Sequence, residues 1–183
     1  MKNHLIISLL LIIVGCSSFQ KEYDIDQIIE KEGVYYKKFS DEPITGKVYG
    51  YFGEVKPYKK VYKGNLLNGK KEGRWKSYYH STGKKIYEET YKDGKLDGLG
   101  TSWYENGQKK SEGTFKDGER DGLGTLWYEN GQKTYEGTYK DGIEDGLWTE
   151  WWENGEKSFV ETWKDGNPVE VIGKWNEDGS VKE

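Results

Sequence analysis

A chain whose one cysteine is Cys16 can form no disulfide within itself. Beyond the N-terminal segment there is one histidine, His80, so no histidine cluster can bind a metal, and a catalytic triad would rest on one exposed turn residue. No nucleophile or phosphate loop stands out, so the chain does not read as an enzyme and implies no cofactor. The longest apolar run, residues 5–14, is ten residues. As a helix it reaches only ~15 Å, about half a bilayer core, and does not span. Basic residues are interleaved with acidic ones and the net charge is −4, which argues against nucleic-acid binding. Aliphatic side chains are scarce. After residue 16 there are seven Leu, seven Ile and eight Val.

What the chain has instead is rings and a period. Eight Trp, 15 Tyr and five Phe all follow residue 16, so apolar burial must come from aromatics. Residues 98–121 read GLGTSWYENGQKKSEGTFKDGERD and residues 122–145 read GLGTLWYENGQKTYEGTYKDGIED; the two agree at 18 of 24 positions. Residues 146–169 keep the skeleton. The frame aromatic-x-Gly-x-aromatic-x-x-Gly-x-x-x-Gly begins at Tyr62, Tyr87, Ser111, Tyr135 and Phe159, with spacings of 25, 24, 24 and 24. A degenerate unit precedes these around Tyr35, Phe39 and Gly46, with a longer hairpin that contains Pro57. Trp175 and Gly179 continue the phase at the C-terminus as a half unit that can cap the sheet. A period of this kind means a repeat architecture in which no unit buries its own faces.

Within one unit, Glu129-Asn130-Gly131 signals a turn, and residues 132–140 alternate, with Tyr135, Gly137 and Tyr139 on one side and Thr134, Glu136, Thr138 and Lys140 on the other. Asp141-Gly142 and Asp145-Gly146 close the unit as turns. The expected fold is all-β: an elongated antiparallel meander of stacked β-hairpin repeats, about 24 residues per repeat. Units are expected near residues 33–61, 62–86, 87–110, 111–134, 135–158 and 159–183, and residues 16–32 form an anchor or linker with a possible first strand. Two strands per unit at ~4.8 Å make a twisted sheet some 50–60 Å long. Lys and Glu along the strands are expected to pair across strands.

Two aromatic rows recur. Trp103, Trp127 and Trp151 share a side with Leu99, Leu123 and Leu147, and this row is expected to be the more buried. Tyr79, Tyr104, Tyr128 and Trp152 occupy the next position and are the candidate binding ladder, with a pitch suited to sugars, cationic head groups or an apolar strand. Asp-Gly pairs recur through the repeats at Asp93, Asp97, Asp117, Asp121, Asp141, Asp145 and Asp165. Turn formation is the simpler reading and a calcium-binding row the alternative, though the Gly-Gly-x-Gly-x-Asp phrase of calcium-binding β-helices is absent. No metal site is assigned.

The N-terminal residues follow the plan of a secretory leader: a weakly basic start, an apolar middle and small residues at the cut. Ile13-Val14-Gly15-Cys16 resembles a bacterial lipobox. That resemblance implies a signal peptide over residues 1–15 and a lipid-carrying Cys16 at the mature N-terminus. Ser17 and Ser18 lack the acidic residue of inner-membrane retention, so the expected location is the cell envelope, at the outer membrane in a Gram-negative source.

The frame from Tyr135 to Gly146 resembles the MORN repeat (membrane occupation and recognition nexus), and the phrase Trp127-Tyr128-Glu129-Asn130-Gly131-Gln132 resembles its bacterial variant, chains of which are often labelled YwqK-family antitoxins. The likeness covers about residues 30–183 and includes Gly33 to Phe39 and Pro43 to Gly46 as the entry segment. It implies a non-enzymatic scaffold for protein or lipid contact, whose partner is an envelope protein or a toxin. Three functions stay open: an interaction scaffold, an antitoxin or immunity-type inhibitor, and a glycan or lipid head-group binder acting through the aromatic ladder.

Overall fold

The computed structural model describes residues 21–53 and 58–182. The expected leader, Cys16 with its expected lipidation, and Pro57 lie outside them. The strands are β1 (Glu22–Asp24), β2 (Ile28–Lys31), β3 (Val34–Lys37), β4 (Gly46–Phe52), β5 (Lys59–Leu67), β6 (Lys70–Tyr78) and β7 (Lys85–Lys92). They continue as β8 (Lys95–Trp103), β9 (Lys109–Lys116), β10 (Glu119–Trp127), β11 (Lys133–Lys140), β12 (Ile143–Trp151), β13 (Lys157–Lys164) and β14 (Asn167–Lys174). Twelve form one sheet in the order β1-β4-β5 and onward in sequence to β14. The sheet is an antiparallel meander of hairpins with one exception: β1 lies parallel to β4. At ~4.8 Å per strand it is roughly 50 Å long.

Two different turns alternate along the chain. On one edge, Asp93-Gly94, Asp117-Gly118, Asp141-Gly142 and Asp165-Gly166 all have positive φ at both residues, the two-residue geometry that matches strand twist. Each of these glycine N–H groups also donates backward to the preceding hairpin, as Gly118 does to the Leu96 carbonyl at 2.8 Å and Gly142 to that of Arg120 at 2.8 Å. On the other edge, the Tyr104 N–H donates to the Gln108 carbonyl at 2.9 Å and the Gly107 N–H to that of Tyr104 at 2.9 Å. There only the glycine is left-handed, and Asn106 is not.

The second set of Asp-Gly pairs does not form turns. Gly98, Gly122 and Gly146 lie inside β8, β10 and β12, with φ of +118°, +107° and +114°. The pairing shifts register beside them, so these glycines mark bulges that shorten one strand against its neighbour.

The two faces of the sheet are unlike. On one, Gly100, Gly113, Gly124 and Gly137 are cross-strand neighbours in four successive strands. Their missing Cβ atoms leave a valley of bare backbone, and neighbouring side chains lie down in it. Phe115 covers Gly100, the Arg120 guanidinium covers Gly113 and Gly124, and the Trp148 indole covers Gly137. Arg120 is held between the Phe115 and Tyr139 rings, 5.4 and 5.2 Å from their centroids. Trp148, 3% exposed, is the most buried ring. It packs edge-on against Tyr135 and Tyr139 at 5.0 and 4.9 Å and lies 6.1 Å from Trp163.

The other face carries Thr101, Thr125 and Thr149, all buried, with acidic and basic partners around the first two. Glu112 accepts from Lys109 of its own strand at 2.7 Å and from Thr101 of the preceding strand at 3.1 Å; Glu136 does the same with Lys133 and Thr125. Three recurrent Lys–Glu pairs are thus three residues apart within one strand, brought together where the register shifts, while Lys60–Glu22, Arg74–Glu88 and Lys164–Asp145 pair across strands as expected.

Apart from Val160, buried in β13, the buried aliphatic side chains among the described residues gather at the N-terminal end. The β2–β3 hairpin lies beside the sheet, and Ile28, Ile44, Val48, Leu66 and Trp75 form one buried cluster there, with Val48 and Leu66 fully buried. This cluster closes one end of a sheet that elsewhere buries mainly rings on glycine.

Candidate interaction surfaces

The aromatic ladder lies where strands β6, β8, β10 and β12 pass into the wider turns. The Tyr104 hydroxyl donates to the Trp127 carbonyl at 2.7 Å, and the Tyr128 hydroxyl to that of Trp151 at 3.0 Å. Tyr79 reaches the Trp103 carbonyl at 3.5 Å, and the Trp152 indole reaches that of Trp175 at 3.1 Å. All four rings are half-buried, and each ties its repeat to the next.

A second ladder runs beside it. Asn106, Asn130 and Asn154 donate to the carbonyls of Glu129, Glu153 and Glu177 at 2.8, 2.9 and 2.5 Å. The same side chains accept from Gln108, Gln132 and Glu156 N–H groups within their own turns. The sequence marks Asn-Gly only as a turn; the asparagine is also a rung, and its recurrence every 24 residues was the available signal. Residues 175–182 repeat the turn geometry, with a Trp175–Val181 bridge, and take the spine to its last rung.

The Leu and Trp row, expected to be the more buried, has exposed leucines and tryptophans half-buried like the ladder rings. Leu99, Leu123 and Leu147 are 49%, 51% and 52% exposed. Trp103, Trp127 and Trp151 on the same face are half-buried beneath ammonium groups: Lys85 lies 4.1 Å from the Trp103 centroid, and Lys109 and Lys133 lie 5.4 Å from those of Trp127 and Trp151. The glycines decide this. Rings settle where the opposing Cβ atoms are missing, and that is the other face.

On the glycine face a second cross-strand row lies nearer the wide turns. Tyr87 faces Ser102, which faces Ser111; then Leu126, Tyr135, Glu150, Phe159 and Lys174 follow in directly paired positions. A cavity of about 460 Å³ opens at its C-terminal end, lined by Tyr128, Tyr135, Glu150, Trp152, Phe159 and Lys174 among others. A smaller one of about 160 Å³ lies at Tyr87, Ser102, Ser111 and Arg120. Of the four ladder residues, Tyr128 and Trp152 reach the larger cavity, and Tyr79 and Tyr104 line neither.

Burial, reinforced by the Glu161 carboxylate, lifts the Glu150 pKa above its ordinary value. Burial together with both carboxylates pushes the Tyr135 phenol up to about 12, so it stays a neutral donor. For Glu150 the folded protein holds a proton that the unfolded chain has released, so stability falls as pH rises from about 4.5 through that window. Glu150→Gln is expected to remove this slope and raise the Tm at neutral pH, as read from melting curves on both sides of the window. An unchanged slope would mean that Glu150 stays solvated.

His80 is exposed in its turn, where its carbonyl accepts from Gly53 at 3.0 Å. Among the described residues no group of three or more His, Cys, Asp or Glu side chains could hold a metal ion. Asp145 pairs with Lys164 at 2.7 Å, and Asp117 occupies a left-handed turn position.

No match to a curated protein is found. Residues 71–93 and 96–117 match the MORN repeat variant, and residues 112–133 and 135–157 match the MORN repeat. The matched stretches run from β6 to the wide turn after β12, so the stapled hairpins of the central sheet are the part of the chain that is similar to MORN repeats.

Proposed function

We propose that the chain is a non-enzymatic scaffold, anchored to a membrane of the cell envelope through lipid on Cys16, whose threonine face docks a partner protein. MORN repeats are generally scaffolds for protein or membrane contact and are not known as catalytic units. The observation that carries the reading is the leucine row. Leu99, Leu123 and Leu147 stand half-exposed at the same place in three successive repeats. Two strands separate each from the next, a pitch of ~10 Å. A regular apolar row, flanked by the half-buried Trp103, Trp127 and Trp151 and set among Lys, Glu and Thr side chains, suits a partner's apolar side chains. The lipobox-like Ile13-Val14-Gly15-Cys16 supports the anchor, and several acyl chains at about 0.8 kcal/mol per buried CH2 hold a soluble body at a bilayer.

The test compares the tagged full chain with the triple variant L99T/L123T/L147T in affinity capture from its own detergent-solubilised envelope. Threonine keeps strand propensity and removes most of the apolar surface. One protein is expected near one-to-one with the native chain and absent with the variant, at a nearly unchanged Tm. A partner retained by the variant, or recovery of lipid or polysaccharide alone, would overturn the reading. Tight one-to-one binding that blocks a toxic activity would narrow it to an immunity-type inhibitor.

A further inference from the structure

The rings of the ladder have their polar heads tied to backbone, whereas the row from Tyr135 through Glu150 and Phe159 to Lys174 opens onto a cavity. We infer that this C-terminal cleft on the glycine face binds a neutral saccharide, with a linear glycan lying along the repeat axis.

The argument is one of matched chemistry. Tyr135 and Phe159 face the same side two strands apart, a separation of ~10 Å, with the Glu150 carboxylate between them. Tyr128 and Trp152 line the cleft, held in place by their bonds to the Trp151 and Trp175 carbonyls. Rings fixed in advance lose little entropy on binding. Thr134 and Ser158 supply hydroxyls, and the Lys174 ammonium lies 5.3 Å from the Phe159 centroid. An aromatic cleft with a few placed polar groups is the usual form of a small-ligand site. Its charges narrow the class. Lys174 and Lys182 stand against a quaternary ammonium, and Glu150 stands against an anionic or sulfated ligand. A pyranose, with an apolar ring face and a rim of hydroxyls that donate and accept, satisfies both.

The direction follows from the register. The row continues across the sheet through Tyr135 and Leu126 to Ser111, Ser102 and Tyr87, where the smaller cavity lies. The Ser102 and Ser111 hydroxyls, 2.6 Å apart, break the series of rings there. The tighter subsites are therefore at the C-terminal end.

The test is calorimetric titration of the full chain in detergent with two neutral probes, cellotetraose and the tetramer of N-acetylglucosamine, and with choline and a sulfated oligosaccharide as controls. At least one neutral tetrasaccharide is expected to bind, and Glu150→Ala and Lys174→Ala each to weaken it by about tenfold, about 1.4 kcal/mol, with both variants keeping a cooperative melting transition. Phe159→Ala is expected to abolish it; because that ring is half-buried, the variant is read only after its melting transition is shown to be retained. No binding by either neutral probe, stronger binding by choline or the sulfated chain, or full binding by Glu150→Ala would overturn the inference.

Discussion

Gly137→Leu is expected to remove about 4 kcal/mol of stability and to release the Trp148 ring to solvent. A Cβ at Gly137 would fall inside the Trp148 indole, and a leucine branch lengthens the clash. The ring has no alternative seat, since Tyr135, Tyr139 and Trp163 already pack around it. Packing alone holds it: the Trp148 indole nitrogen is buried without a hydrogen-bond partner among the described residues, whereas that of Trp75 donates to the Asn65 carbonyl at 2.9 Å. A buried ring of ~200 Å² contributes about 5 kcal/mol at ~25 cal/mol per Å², in line with the 3–5 kcal/mol typical of Trp→Ala in a core. That is a large share of the ~5–15 kcal/mol that holds an average domain. Urea unfolding followed by tryptophan emission reads both the loss and the red shift. Gly107 provides the contrast, because nothing lies within 4 Å of its missing Cβ and its φ is +95°. Gly107→Ala should cost only the backbone strain, about 1–2 kcal/mol. If Gly137→Leu stayed within about 1 kcal/mol of the native chain, the glycine valley would not be the core.

The period, the hairpins and the tight Asp-Gly turns were legible because each rests on local chemistry: a left-handed φ at two successive residues and a two-residue alternation. The grouping of Tyr135, Gly137 and Tyr139 on one side was legible for the same reason, and the structure gathers them around Trp148. Which face buries its rings was not. Gly100, Gly113, Gly124 and Gly137 form a valley only once four strands are in register, and their spacings of 13, 11 and 13 residues suggest no common level. The bulges at Gly98, Gly122 and Gly146 hid it further, since an Asp-Gly pair inside a strand reads as a turn. The row at Tyr87, Tyr135 and Phe159 was visible as the leading position of the repeat frame, but nothing local separates a leading ring that borders a cavity from one that is covered. The partners of Tyr104 and Asn106 lie 23 residues further on, a distance that only the repeat register bridges.

Tyr104→Ser combined with Tyr128→Ser is expected to lower stability by about 4 kcal/mol and to broaden the unfolding transition. Each substitution removes a hydroxyl-to-carbonyl bond to the next repeat and the half-buried ring that carries it. A net hydrogen bond contributes about 1 kcal/mol, and partial ring burial about 1 kcal/mol more. The matching Phe pair keeps the rings and should lose only about 2 kcal/mol, which separates bond from burial. Location matters as much as size. In a solenoid each unit is stabilised by its neighbours, so weakening two successive interfaces partly uncouples the halves, and the denaturant slope should fall with the midpoint. Backbone pairing between strands remains, as do the Asn106 and Asn130 rungs, so unfolding loses cooperativity before the fold is lost. Guanidinium unfolding followed by circular dichroism and by tryptophan emission reads this as two curves that no longer coincide. An unchanged Tm with coincident curves would mean that the staples contribute nothing, and would return Tyr104 and Tyr128 to the role of free surface rings available to a ligand.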